Sequence, residues 1–529
     1  MQPIDATELE RLQTGERPPV LVDVRERGEF ALGQIAGATP LPRGLIELRL
    51  PRVVPELAWP LVLYCGDGRR SALAADTLAA MGYENVRVLG GGLEAWRASG
   101  RSVIEGWGVP GKAYGERVAA AGVPQVTAEE LAARRARGEP VTVVDVRTAE
   151  EYLRGHVPDA YHVPGGQLVR EVPALLDRPD APVVVSCAGR TRGILGAALL
   201  REAGLPNVQA LLNGAMGWRL AGYALEEGPG RGRPALPPDP AAMHAEWTAE
   251  ATRRLLRDEG IRVIAPNEYD GLRARGERHY AVDVRLPEEY RAGHVPGAIS
   301  LPAGQLALHY ENWLAVASLP VVVLADDPAR PVWAAVLLRR LGFADVCVLE
   351  GGIPAWVRAG QVLEDGDDDQ TAFGLEAARK AAAAITPPEL LMGRRAREVA
   401  VLDVRGSGEF GMGHLPGARW LARGKLELGI DSMAPDKTAP VVTACDTGVR
   451  AALAAATLRA LGYHGARYLD GGLAAWQRDG SPIEEGLEGA DVSVAEAQGD
   501  FGHTLWSGAM QRTRADMENY LSWEENLVK

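Results

Sequence analysis

The 529-residue sequence predicts an α/β fold built from four repeated domains, each a mostly parallel central sheet flanked by helices on both faces. Three observations lead there. A set of four short phrases recurs four times in constant register, which identifies internal repeats before any secondary structure is assigned. Within each copy, short apolar runs alternate with helix-forming stretches, the pattern of a covered parallel sheet. The length itself corresponds to three or four domains of ordinary size.

The first phrase is a strand ending in Asp-Val-Arg: Leu21 to Arg25, Val143 to Arg147, Ala281 to Arg285 and Val401 to Arg405. These runs are continuously apolar before the Asp, as strands buried on both faces must be. The second phrase follows about ten residues later: GQIAGA, GHVPDA, GHVPGA and GHLPGA. The third is another apolar run entering a turn: LVLYCGDGRR, VVVSCAGRTR, VVVLADDPAR and VVTACDTGVR. An Ala/Leu-rich stretch follows each turn and reads as a helix stopped at Gly. The fourth phrase is a Gly-rich turn ending in Trp: GGLEAW, NGAMGW, GGIPAW and GGLAAW. From the Asp of the first phrase to the Cys position the separation is 42 in every copy, and from there to the Trp it is 31. Helices ahead of the second and fourth copies open with capping boxes, Thr127 to Glu130 and Thr386 to Glu389, which satisfy free N–H groups at a helix start.

These registers place domain 1 at 1–115, domain 2 at 116–227, a Pro/Gly-rich linker at 228–250, domain 3 at 251–370, domain 4 at 371–487 and a helical tail at 488–529. The extra length between the second and third copies, and the aromatic–Gly pairs Tyr114-Gly115 and Phe373-Gly374, suggest two tandem pairs, 1–2 and 3–4. An acidic turn at 364–369 separates the last two copies, and the tail reads as a packing or capping segment.

Composition narrows the function. Lys and Arg number 57 against 70 Asp and Glu, a net charge of −13. That balance argues against a nucleic-acid or anionic-membrane partner, both of which need a basic surface. Four cysteines make no disulfide framework, and no Cys/His spacing points to zinc, so no metal is expected. The first residues have no secretory pattern and no apolar run is long enough to span a bilayer. A cytoplasmic, multi-domain enzyme or scaffold is the expectation.

The chemistry resides in the third phrase. A strand ending in Cys, a tight loop and a helix start direct loop N–H groups and the helix dipole onto the sulfur. Such an environment favours thiolate and holds an oxyanion without a metal. Three copies share the spacing C-x4-R: Cys65 to Arg70, Cys187 to Arg192 and Cys445 to Arg450. The guanidinium adds a fixed cation for an anionic substrate or for the thiolate. Loop backbone at Gly66, Gly68, Ala188, Gly189 and Gly448 would supply the amide cradle, with Arg69 and Arg190 as further cations.

Together these phrases resemble the rhodanese family of sulfurtransferases over nearly the whole chain. The resemblance implies a single-cysteine ping-pong cycle: a thiolate takes the sulfane sulfur of a donor such as thiosulfate and passes it to cyanide or a thiol. It implies a small-molecule donor and a thiophilic acceptor, which could be a protein or a low-molecular-weight thiol, and no organic cofactor. Phosphatases on the related fold use the longer C-x5-R loop, which sets that class aside. A persulfide relay or scaffold, and a 3-mercaptopyruvate sulfurtransferase, stand as alternatives.

The copies differ. The third has Ala325 at the Cys position, followed by Asp326, Asp327 and Pro328, and should be silent; Arg330 reads as a relic and Cys347 as a core thiol. Loop charge ranks Cys187 first, with Arg190 and Arg192 and no acid, then Cys65, offset by Asp67, then Cys445, offset by Asp446. Asp23, Asp145, Asp283 and Asp403 occur whether or not the Cys does, and so read as structural strand-end anchors. His156, His294 and His414 follow the same logic, with Gln34 in the first copy. The four Trp residues read as core anchors.

Overall fold

The computed structural model describes residues 3–233, 242–366, 371–395, 399–500 and 513–528. It contains four five-stranded sheets, one per copy, and every strand pair is parallel. Numbered within a domain, the strand order is 1-5-4-2-3 in all four. In the first domain the strands are Pro3–Ile4, Val20–Asp23, Thr39–Pro40, Leu61–Tyr64 and Val86–Leu89. The Asp-Val-Arg strand and the Cys strand are neighbours at the sheet centre, with Asp23 paired to Tyr64 and Asp145 to Ser186. From there the chain leaves in opposite directions, strand 2 toward 3 and strand 4 toward 5. That reversal is where open α/β sheets place their ligand sites.

Each sheet carries its own apolar layers. In domain 1, Leu21, Val62, Phe30, Leu89 and Trp96 form one cluster, and in domain 4 Val401, Val442, Phe410, Leu469 and Trp476 form its counterpart. The Trp of each fourth phrase is buried, and its indole N–H donates to a main-chain oxygen six residues on. Among the described residues no helix is long and apolar enough to cross a membrane.

The domains do not associate as sequence neighbours. The chain divides into two compact bodies, one combining the first and fourth domains, the other the second and third. The tandem pairing expected from linker length is therefore replaced by a nested one. In the first body the pairing is reciprocal: Arg43 binds Glu427 and Arg423 binds Glu47, and a Cβ on Gly44 would lie 3.2 Å from Gly424 N. In the second body the equivalent glycine, Gly304, approaches the preceding turn of domain 2 so closely that a Cβ would sit 2.9 Å from Gly165 N. The cue lies in the loop after the third strand. Domains 1 and 4 share Arg-Gly followed by Glu three residues after the Gly, whereas domains 2 and 3 share small residues followed by Gly-Gln. Linker length says nothing about these faces.

The linker expected at 228–250 overlaps a helix, Ala242–Asp258, whose Ala251 and Leu255 are buried; residues 234–241 lie outside the described residues, as do 367–369 of the acidic turn. Among its described residues the tail contains two α-helices. Val494–Asp500 packs in the first body, where Asp500 accepts from Ser407 Oγ and Gly408 N. Arg514–Glu525 belongs to the second body.

Candidate active site

The loops after the fourth strands of domains 1 and 4 share one geometry. Gly68 has φ +96° and Gly448 φ +88°, left-handed values that glycine adopts without a steric penalty. Each precedes a 12-residue helix, Arg69–Ala80 or Val449–Ala460. The left-handed turn points the glycine amide inward: Gly68 N donates to Cys65 Sγ at 3.2 Å, and Gly448 N donates to Cys445 Sγ at 3.2 Å. Ala451 N adds a second donor to Cys445 Sγ at 3.3 Å. These donors favour negative charge on sulfur.

The fourth phrase braces the same loop from outside. Leu93 N and Glu94 N donate to the carbonyls of Cys65 and Gly66, and Leu473 N and Ala474 N do the same for Cys445 and Asp446. Gly92 and Gly472 lie against those carbonyls, where a Cβ would come within 2.3 and 2.2 Å of the cysteine oxygen. The Gly-Gly pair thus positions the loop, a role beyond the core packing expected of this phrase.

Each loop arginine is held by a glutamate 41 residues earlier. Arg70 makes two hydrogen bonds to Glu29 (2.6 and 2.5 Å), Arg192 two to Glu151 (2.7 and 2.7 Å), and Arg450 two to Glu409 (2.8 and 2.6 Å). The same carboxylates accept from the N–H groups of Glu26, Thr148 and Gly406, which start the short helix after Asp-Val-Arg. Burial works against these carboxylates, but the guanidinium outweighs it: Glu29 and Glu151 titrate at about 2, and Glu409 is likewise held low. The pair persists in the Cys-less copy as Arg330 with Glu289. The C-x4-R arginine therefore braces the loop against the short helix that follows Asp-Val-Arg. Its expected role as a direct substrate cation is not what this geometry favours, because its charge is already matched. Arg69 pairs with Asp67 at the surface.

Asp23, Asp145, Asp283 and Asp403 are fully buried and bind the arginine two residues on, which also donates to the carbonyl of Gly33, Gly155, Gly293 or Gly413. They tie the strand end to the second phrase. His156, His294 and His414 stack on Tyr152, Tyr290 and Phe410 at 3.7 Å, with Nδ1 against the carbonyl of the same aromatic residue. Among the described residues, no cluster of three His, Cys, Asp or Glu side chains could hold a metal.

The second loop differs at the position before its helix. Arg190 stands where the loops of domains 1 and 4 have a left-handed glycine, and its φ is −119°. The turn is reversed, so Cys187 Sγ lies 3.7 Å from the Arg190 carbonyl oxygen. Burial pushes the Cys187 thiol up to about 11, against the pull of Arg192. The residues from Cys187 to Arg192 are all buried. Arg190 itself is engaged by Glu116, Asn213 and Glu525. Both arginines that the charge ranking counted in favour of Cys187 are paired with carboxylates, and the backbone N–H left to favour its thiolate is that of Gly193. Burial also raises the Cys445 thiol, and Asp446, the acid expected to weaken this loop, is held by Arg405 and Arg450.

In the third loop Asp327 takes the amides of Ala329 and Arg330 (2.9 and 3.1 Å), and Arg330 binds Asp326, Asp327 and Glu289. Carboxylates of the chain itself fill the anion cradle. Cys347 lies in the strand Val346–Leu349, where burial pushes its thiol up to about 12.

A cavity of about 240 Å³ lies beside Arg450 in the first body, lined by Arg405, Arg423, Glu26, Glu409 and Asp500 among others. Glu26 is buried there, and burial pushes its carboxyl up to about 8 against the pull of Lys425 and Arg70. Nothing in the repeat pattern marks it, because the other copies carry Thr148, Leu286 and Gly406 at this position.

Comparison with known proteins agrees with this architecture. The rhodanese-like domain family matches residues 5–99, 127–221, 265–359 and 386–479. The chain belongs to the rhodanese family. A thiosulfate sulfurtransferase from Pseudomonas aeruginosa is similar over 100% of this chain and 97% of its own, with TM-score 0.87 and 31% identity. Thiosulfate sulfurtransferase GlpE of Ectopseudomonas mendocina is 38% identical over 80 residues, 15% of this chain and 72% of GlpE. The 3-mercaptopyruvate sulfurtransferase of Escherichia coli is 24% identical over 287 residues, 45% of this chain and 96% of that enzyme. As a member of the rhodanese family, the chain takes small sulfur donors and acceptors as its substrate class.

Proposed function

We propose that the protein is a thiosulfate sulfurtransferase working through cysteine persulfides on Cys65 and Cys445. The observation that carries this reading is the inward amide of a left-handed glycine, Gly68 or Gly448, on the cysteine sulfur. The thiolate attacks the outer sulfur of thiosulfate, the S–S bond breaks, and its electron pair leaves with sulfite. A thiophile then attacks the persulfide sulfur and restores the thiolate. The loop amides stabilise thiolate and persulfide, the Gly-Gly turn and the Glu–Arg pair hold the loop in register, and Asp-Val-Arg fixes the adjoining strand end. Cys65 is the leading carrier, because Gly66 to Gly68 are partly open to solvent while its cradle is intact.

The test is thiosulfate:cyanide transfer in the native chain and in Cys65→Ser, Cys445→Ser and Cys187→Ser variants, together with the mass of one sulfur atom gained by each cysteine peptide after thiosulfate treatment. The expected result is loss of most activity with Cys65→Ser and none with Cys187→Ser. Full activity in the triple variant would end the cysteine mechanism. Sulfur loading by 3-mercaptopyruvate but not by thiosulfate would transfer the assignment to that donor. Loading without turnover would favour a relay of persulfide between proteins.

A further inference from the structure

The second loop is covered by the end of the same chain. Helix Arg514–Glu525 places Met517, Leu521 and Glu524, spaced four and three residues apart on one face, into the second body, where all three are buried. Glu524 Oε1 accepts from Thr191 Oγ1, and Glu525 Oε1 accepts from Arg190 Nη1 at 2.9 Å. A Cβ on Gly189 would lie 3.5 Å from both Glu524 Oε2 and the Tyr520 ring. Beyond the loop, Lys112 stands 4.9 Å over Trp523 and 5.3 Å over Tyr520, and Arg514 donates to the Leu220 carbonyl at 3.0 Å. Domain 1 presents the contrast: there Arg69 is exposed and Gly66 to Gly68 are half-buried.

A carboxylate buried to 1% exposure, with Oε2 lacking any hydrogen-bond partner, is costly unless its surroundings were already suited to an anion. The loop of domain 2 is such a place at its helix start, where Thr191 Oγ1 donates to Glu524 and Arg190, shared with Glu116, donates to Glu525. We propose that helix Arg514–Glu525 is an internal cap on the Cys187 loop, with the Glu524 carboxylate occupying the position an anionic sulfur donor would take. The word donor rests on the function proposed above; the cap itself does not. Cys187 is on this account a closed third site, and undocking one helix exposes it.

The test is the rate of alkylation by iodoacetamide at each cysteine of the native full-length chain, read by peptide mass spectrometry, which requires no turnover. Cys187 is expected to react at least tenfold more slowly than Cys65. In a full-length Met517→Asp/Leu521→Asp variant, its rate is expected to rise at least tenfold, with Cys65 and Cys347 unchanged. The milder Glu524→Gln/Glu525→Gln variant should move Cys187 in the same direction, with an unaltered melting curve. Equal reactivity of Cys187 and Cys65 in the native chain would overturn the cap, as would an unchanged Cys187 rate in both variants. Sulfite should slow labelling of the uncapped Cys187; if it does not, the anion placement fails even where the cap stands.

Discussion

Replacing Gly68 by Ala isolates the amide that the proposed mechanism depends on most. At φ +96° an alanine Cβ costs about 1–2 kcal/mol. Space is not the obstacle, because the nearest atom to that Cβ, Gly91 N, is 3.5 Å away. The chain relieves the strain by turning the peptide, as it does at Arg190 with φ −119°, and the Gly68 N–H then leaves Cys65 Sγ. A hydrogen bond to a charged acceptor contributes about 1.5–3 kcal/mol. Sulfur transfer through Cys65 should therefore fall by about 10- to 150-fold, at 1.4 kcal/mol per factor of ten. The assay is thiosulfate:cyanide transfer in a Cys445→Ser background, so that one loop is read alone. Sulfur loading of the Cys65 peptide and a denaturation curve serve as companions. Native rates in the Gly68→Ala variant, with its fold intact, would refute the role of the inward amide. An equal fall in a Gly189→Ala variant, which lies outside the working loops, would show that the effect is not local.

Other expectations follow from the same geometry. Glu151→Gln leaves Arg192 buried without its partner and should destabilise the second body by about 3–5 kcal/mol in chemical denaturation. Because the Glu151 carboxyl is depressed to about 2 from an ordinary 4.5, its contribution is complete above pH 4.5 and is lost as pH falls toward 2. The gap between native and variant stability should close over that window; a gap constant with pH would contradict the pairing. Gly92→Ala forces a Cβ to within 2.3 Å of the Cys65 carbonyl and should abolish sulfur loading at Cys65 while leaving Cys445 loaded, as peptide mass spectrometry would show. Ala325→Cys alone should not load sulfur, since Asp327 already takes the loop amides; loading of that cysteine would show the amides to be dispensable.

Repeat register alone was enough to read the four sheets, the identity of the Cys strands and the loss of the nucleophile in the third copy. A fixed spacing in sequence becomes a fixed place in a parallel sheet, and Ala325 with two carboxylates after it cannot serve as a nucleophile. The partners of the loop arginines were not readable by the same means. Counting Arg190 and Arg192 as free cations ignored Glu116 and Glu151, which lie 74 and 41 residues away and reach the loop only after folding. The decisive residue was the one before the helix, where glycine turns its amide inward and arginine does not. That cue was local and present in Gly68, Arg190 and Gly448, but its weight appears only when backbone angles are considered rather than charge. Glu26 carried no cue at all, because its burial depends on the packing of domain 1 against domain 4.

The nested association of domains has a consequence for synthesis. Arg43 finds Glu427 only after 384 further residues have been made, which at about 5–20 residues per second takes about 20–80 seconds. Domains 2 and 3 are adjacent on the chain and can join early. Domain 1, the first to emerge, must wait with its Arg43–Glu47 face uncovered until domain 4 leaves the ribosome. Its partner face carries Arg43 and Glu47 around Gly44, which keep that part hydrated, beside Leu48, whose apolar partners arrive only with domain 4.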